Sequence, residues 1–348
     1  MNSTNNDKEP GVLLMIALNK VKQAGVKSLL VATTVAISLG AASITQAADL
    51  KLRMSASATA ADQRAVAMEQ IFGPMVSSFA NFEGHWGSTL FKQGTDLEAI
   101  ACGNLDMTIT SAQELAEFIP EFSIFSAGYV HRDEKHQKRV FAADLMNDLK
   151  QKAEDELNVK LLSVMYLGRR HVNLRSTERI STPADLAGIK MRMPGSEAWQ
   201  FLGKALGTNP VPLAYAEVYT ALQTGAIDGQ DNPLPNVKIM KFYEVTKQIA
   251  LTGHLVDLNY IAISSKIWDS LSGEQQAMLQ GASDATAEFA RQKQLGMEAD
   301  LVQFMKDEGL DVYTPDLAAF QKTVQDAYLN SDYSKQWKPG MLEQINAL

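Results

Sequence analysis

The chain has 348 residues, enough for two compact lobes or one large domain. Charged residues make up 21% and hydrophobic ones 46%, a globular balance that excludes a disordered chain. The formal charge is -8 and no run of Lys and Arg is long enough to track a phosphate backbone, which excludes nucleic acid as the main partner.

Lys20, Lys22 and Lys27 precede an uncharged, largely apolar stretch from Ser28 to Ala48 that ends in the small residues Thr45-Gln46-Ala47-Ala48. About fifteen apolar residues are too few for a comfortable bilayer span, so residues 1–47 read as a cleavable signal peptide, the alternative being an uncleaved anchor. Gly11–Leu18 is a second apolar patch, and Met15 competes with Met1 as the start. The expected location is periplasmic, in a mature chain that begins near Ala48. No cysteine follows the leader, so no lipid attachment is expected, and the single Cys102 excludes an internal disulfide. Cys102 closes the helical run LEAIACGN and is expected to pack as a small hydrophobe.

In chain order, Leu50–Ser55 reads as a strand, Asp62–Phe79 as a helix and Asn81–Trp86 as a strand. Thr95–Ala101 follows as a helix with Gly103 just past its end, then Leu105–Thr110 as an apolar strand. This β-α-β-α-β order favours a mostly parallel sheet with helices on its faces. Downstream, Lys160–Tyr166 and Ile189–Met193 are strand-like, Glu197–Leu206 is helical, and Glu217–Thr224 is a helix ending at Gly225. Ser272 with Gln275 forms a capping box that opens a helical tract running to Gly309, long enough to brace two lobes.

The chemistry concentrates between Leu167 and Lys247. Arg192 lies inside the strand IKMRM, where alternation sends it to the face opposite Met191 and Met193. A charge in an apolar strand is costly unless paired, so either a neighbouring carboxylate or a ligand anion must satisfy it. Arg169 and Arg170 follow Gly168 at the expected end of the preceding strand, where a guanidinium can grip a carboxylate or simply form a solvated basic turn. The segment Gly225–Pro233, GAIDGQDNP, reads as a turn whose Asp, Gln and Asn side chains suit either a ligand or the turn itself.

Three strings taken together, DLAGIKMRMP, then PVPLAYAEVYTALQTGAIDGQDNP, then KFYEV, resemble the substrate-binding proteins of tripartite ATP-independent periplasmic (TRAP) transporters of the DctP type. The likeness extends upstream through GSTLFKQGTDLEAIACGNLDM and downstream through LSGEQQAMLQGASDA. It implies a two-lobe α/β periplasmic binding protein fold with central mostly parallel sheets, an interlobe ligand cleft and a long bracing helix. Lobe I is expected over residues 50–167 and 257–297, and lobe II over 168–256 and 298–348. The family's carboxylate-binding arginine falls on Arg192, its second arginine on Arg170, and the Asn of its Gln-acid-Asn-Pro turn on Asn232. Further ligand candidates are Trp86, Gln93, Gln113, Tyr129, Trp199, Tyr215, Gln230 and Asp231. Some relatives with a metal-assisted site carry a Trp after the acidic turn residue, whereas this chain has Asp231-Asn232-Pro233, so neither a metal nor a cofactor is implied.

The function implied is capture of a small organic acid by hinge closure and delivery to a membrane permease driven by an ion gradient. A sulfonate ligand, or service to a sensor or an ATP-driven importer, are the competing readings. An exported hydrolase would need a nucleophile, base and oxyanion site, and the chain has neither a G-x-S-x-G elbow nor an H-E-x-x-H helix. His131 and His136, five apart in HRDEKH, miss helical ligand spacing and read as a solvated charged turn, while His171 and His254 read as packing or supporting groups near the cleft.

Overall fold

The computed structural model describes residues 50–348, so the leader, its cleavage point and the choice of start codon lie outside the described residues. Nine strands form one hydrogen-bonded sheet: β1 Leu50–Ser55, β2 Ala80–His85, β3 Met107–Ser111, β4 Val159–Leu174, β5 Lys190–Met193, β6 Asn209–Pro212, β7 Gly229–Asn232, β8 Gln248–Ser264 and β9 Asp311–Tyr313. Their order is β2-β1-β3-β8-β4-β7-β5-β6, with β9 paired to β8. At one end β1 pairs with β2 and β3 in parallel, and at the other β5 pairs with β6 and β7 in parallel. The expected parallel arrangement therefore holds at both ends. The middle is antiparallel: β8 runs against β3 and β4, and β4 against β7.

Of the short strands, β6, β7 and β9 were not expected as strands, while β1, β2, β3 and β5 sit where local pattern placed them. The long ones do not. β4 continues well beyond Tyr166, through Gly168, Arg169 and Arg170 to Leu174, because β8 offers a hydrogen-bonding partner along its whole length. Register shifts next to Tyr166 and Arg170 absorb the irregular sequence. Gly168, at φ +130°, is where the strand bends against its neighbour: a Cβ there would lie 2.6 Å from Cβ of Pro233. Gly229–Asn232 is likewise a strand and not a turn, since β4 and β5 pair with its two edges.

The helix expected over 62–79 forms in three pieces, Gln63–Ala67, a π-helical turn Met68–Phe72, and Gly73–Val76. Pro74 cannot donate to the carbonyl four residues back, and the ladder slips so that Gly73 N–H reaches the Met68 carbonyl. Gly103 and Gly225 end their helices at φ +76° and +79°, the left-handed caps expected of them.

One helix, Gly273–Asp307, begins at the Ser272–Gln275 capping box and spans about 52 Å at 1.5 Å per residue. Near its start Leu279 and Ala282 bury into a cluster with Leu52, Phe72, Met107 and Ile261. Near its end Leu301 and Met305 join a different cluster with Leu222, Val237, Phe242 and Ile249. The helix braces both ends of the sheet by filling two separate apolar cores. Among the described residues, no helix is long and apolar enough to cross a membrane.

Two expectations fail on burial. Cys102 is exposed, because it caps the helix Asp96–Ala101 at its solvent end. His131 and His136 are buried, not solvated. Asp133 caps a helix over Glu134–Ala142, which turns the charged string so that His131 stacks on Phe125 with ring centroids 5.6 Å apart and His136 Nε2 lies 2.8 Å from the Ile345 carbonyl.

Candidate functional site

Three neighbouring strands, β4, β7 and β5, carry Arg170, Asn232 and Arg192 to one narrow cavity of about 40 Å³. The same cavity is lined by Arg64, Gln93, Glu114, Trp199, Tyr215, Asn236, Asp257 and Asn259. As closed in this structure it is much smaller than the roughly 300–1,000 Å³ of small-molecule sites, and its walls are unusually polar.

Arg192 is 1% exposed. Its Nε donates to the Leu213 carbonyl at 2.8 Å and a terminal nitrogen donates to Gln93 Oε1 at 3.2 Å. Both acceptors are neutral. Among the described residues Arg192 forms no salt bridge. Burial, with repulsion from Arg170, pulls its pKa down to about 10, so the cation is destabilised where it stands. Tyr215, its ring centroid 5.8 Å from the guanidinium, gives only a distant π contact.

Arg170 is equally buried and differently served. Its Nε donates to Asp231 Oδ2 at 2.7 Å and a terminal nitrogen to Asp231 Oδ1 at 2.9 Å, a bidentate pair. Its other terminal nitrogen donates to Asp257 Oδ2 at 2.9 Å, and the guanidinium lies 4.6 Å from the centroid of the Trp199 ring. Burial works against the charge, but the two carboxylates outweigh it and hold the pKa above that of a free arginine. Asp231 is pushed up by burial but more strongly down by Arg170 and His254, which holds it well below the usual carboxylate range. His254 Nε2 lies 3.1 Å from Asp231 Oδ2. Asp257, with one bond to Arg170 and Asp231 nearby, is raised by its burial.

A third buried arginine, Arg64, is closed off by Asp62, the N-cap of its own helix, through bonds of 2.9 and 2.7 Å. Its remaining terminal nitrogen donates to Asn259 Oδ1 at 2.7 Å. Glu114 lines the cavity from the first turn of the helix Ala112–Leu115, capped reciprocally by Ser111. Asn236 donates to Asp62 Oδ2 and to the Tyr215 hydroxyl, both at 3.2 Å, while its Oδ1 is buried with no partner among the described residues.

Of the sequence candidates, Arg192, Arg170, Asn232, Gln93, Trp199 and Tyr215 meet at the cavity. Gln230 and Asp231 lie behind its wall, where Gln230 Oε1 accepts from Asn232 at 2.6 Å and Asp231 holds Arg170. Trp86, Gln113 and Tyr129 do not line it. Trp86 instead donates to Glu69 at 2.9 Å, Tyr129 to the Thr252 carbonyl at 3.0 Å, and Gln113 is buried. Sequence reading missed Arg64, Glu114, Asn236, Asp257 and Asn259. Two of these left a signal: Asp257 and Asn259 stand at alternate positions of the otherwise apolar run 255–263, which puts both on one face of β8.

A family model described as bacterial extracellular solute-binding protein, family 7 (DctP), matches residues 79–335. The chain belongs to this family. A TRAP periplasmic solute-binding protein of Roseobacter denitrificans, solved with bound 3-deoxy-D-manno-oct-2-ulosonic acid, is 57% identical, with a TM-score of 0.85 over 86% of this chain and 99% of that one. A second protein of that organism, solved with bound L-galactonate, is 26% identical, with a TM-score of 0.77 over 86% of this chain and 98% of the other. The sialic acid-binding periplasmic protein of Vibrio cholerae is 31% identical over 84% of this chain and 91% of its own length. The fold is accordingly the two-lobe α/β fold of the DctP family, and the protein is a TRAP-type solute receptor. These relatives are solute-binding proteins and not enzymes.

Proposed function

We propose that this DctP-family receptor captures a hydroxylated sugar acid in the polar cavity, with Arg192 as the carboxylate anchor. One observation carries the reading: Arg192 is a fully buried guanidinium whose hydrogen bonds all go to neutral oxygens. A ligand carboxylate would supply the missing charge and displace Gln93 Oε1 from the guanidinium. Arg170, already neutralised, would add hydrogen bonds or stacking but little net charge, and Asn232 would bond a ligand oxygen. The bound acids of two neighbours, 3-deoxy-D-manno-oct-2-ulosonic acid in the 57% identical one and L-galactonate in another, support a sugar acid.

Lobe I is assigned to residues 50–167 and 257–297, and lobe II to 168–256 and 298–348, with ligand contacts from both favouring the closed state. Residues 1–47 would serve as the export signal. The closed complex would then dock on a membrane permease driven by an ion gradient, with no chemistry on the ligand.

Calorimetric titration with 3-deoxy-D-manno-oct-2-ulosonic acid and L-galactonate tests the proposal. At a hundredfold excess over Kd, ligand should add about 2.7 kcal/mol of apparent stability, visible as a rise in Tm. Absence of heat and of a Tm shift with either acid and with a broader set of aldonates and uronates would reject it.

A further inference from the structure

Beyond the carboxylate anchor, the cavity holds one more group that no ion pair accounts for. Glu114 lines it together with Arg192. All the hydrogen bonds to Glu114 converge on one oxygen: Oε2 accepts from the Ser111 amide at 2.9 Å, the Ser111 hydroxyl at 3.0 Å and the Thr110 hydroxyl at 3.1 Å. Oε1 accepts none among the described residues. The other cations of the cavity are engaged elsewhere, Arg64 with Asp62 and Arg170 with Asp231 and Asp257.

From this arrangement we infer that Glu114 is a specificity-determining residue, one that admits an acid with hydroxyls along its length and rejects an acid carrying a second anionic group. The inference rests on the sugar-acid reading above and adds to it the class of acid. A ligand that places its carboxylate on Arg192 finds no second free cation among the described residues. Its far end meets acceptors instead: Glu114 Oε1 and the buried, unpartnered Oδ1 of Asn236. A hydroxyl can donate to either. A carboxylate or phosphate can donate to neither, and in a cavity lined by both Arg192 and Glu114 it lies within Coulomb reach of the Glu114 carboxyl. Discrimination by an unfavourable charge is a general device where attraction alone cannot separate similar ligands.

The capping box makes a clean variant available. Gln at the N3 position keeps the reciprocal bonds with Ser111 while removing the charge. Wild type and Glu114→Gln are each titrated with L-galactonate or 3-deoxy-D-manno-oct-2-ulosonic acid, and with galactarate, a six-carbon polyhydroxy diacid. Wild type should bind the monoacid at least roughly tenfold more tightly than the diacid, and Glu114→Gln should narrow that ratio to about threefold or less, chiefly by gaining the diacid. An unchanged ratio in Glu114→Gln, or a wild type that prefers the diacid, overturns the inference while leaving an organic-acid receptor standing. A wild type that binds neither kind of acid overturns both.

Discussion

Arg170 and Arg192 stand two strands apart in one sheet, both almost fully buried, and their surroundings could hardly differ more. Around Arg170 the protein has assembled two aspartates, a histidine behind one of them and an indole on the guanidinium face. Around Arg192 it offers a peptide carbonyl and a carboxamide. The first is a completed structural network; the second is a cation left waiting. A receptor needs both kinds. On the proposed reading, a rigid charged wall would position the site, and one uncompensated charge would give the ligand something to contribute that water cannot.

The comparison breaks most visibly on stability. Arg170→Met strands Asp231 and Asp257 as buried carboxylates, which should cost on the order of 3–5 kcal/mol in urea denaturation. Arg192→Met removes an unpaired buried charge and should leave the denaturation midpoint unchanged or raised. If both substitutions destabilise equally, the distinction between the two arginines is lost.

Binding should invert that order. Arg192→Ala is expected to lose on the order of 2–5 kcal/mol of affinity, roughly 30- to 5000-fold, while the fold survives. Near-normal affinity in calorimetry would remove Arg192 as the anchor.

Acid should attack the completed network and its neighbours first. His171, beside the network, is held down to about 3 by burial, with His254 and Arg169 adding repulsion. His131 is also held down to about 3, by burial and by His136 and Arg132. A histidine pKa lower in the fold than in the unfolded chain means that the unfolded state binds the proton first. The stabilisation is full above the unfolded value of about 6.5 and is lost as pH falls toward 3, at no more than about 1.4 kcal/mol per pH unit for each histidine. Asp231, depressed in the fold, adds a further loss only below its unfolded value of about 3.9. His131→Phe keeps the stack on Phe125 and should flatten the stability slope between pH 6.5 and 4. An unaltered slope would mean that His131 is not held neutral.

The smallest expected effect concerns the aromatic lid on Arg170. Trp199→Leu removes a cation–π contact between a ring and an already neutralised guanidinium, worth about 0.5–2 kcal/mol. It should lower stability modestly, and ligand affinity by less than Arg192→Ala does.

Much of this was legible in the chain because its signals are local. The Ser272 capping box, the glycine caps at 103 and 225, and β1, β3 and β5 depend on residues within a few positions of one another. Arg192 was legible too, as a charge in an apolar strand that needs a partner. What was not legible depends on pairing across long stretches of chain. Gly168-Arg169-Arg170 and Gly229–Asn232 look like turns by composition, and become strands only because β8, β4 and β5 lie alongside them. HRDEKH looks solvated by composition, yet its two histidines are buried.

By itself, then, the sequence determined the local elements, the family and the presence of an arginine in want of a negative charge. Only the tertiary structure showed that Arg170 is already paired while Arg192 is not. Asp231 and Asp257, 61 and 87 residues from Arg170, were brought to it by strand pairing and neutralised it. No carboxylate among the described residues forms a salt bridge with Arg192. Ion pairing is decided by distances of a few ångströms in space, and separation along the chain does not report them.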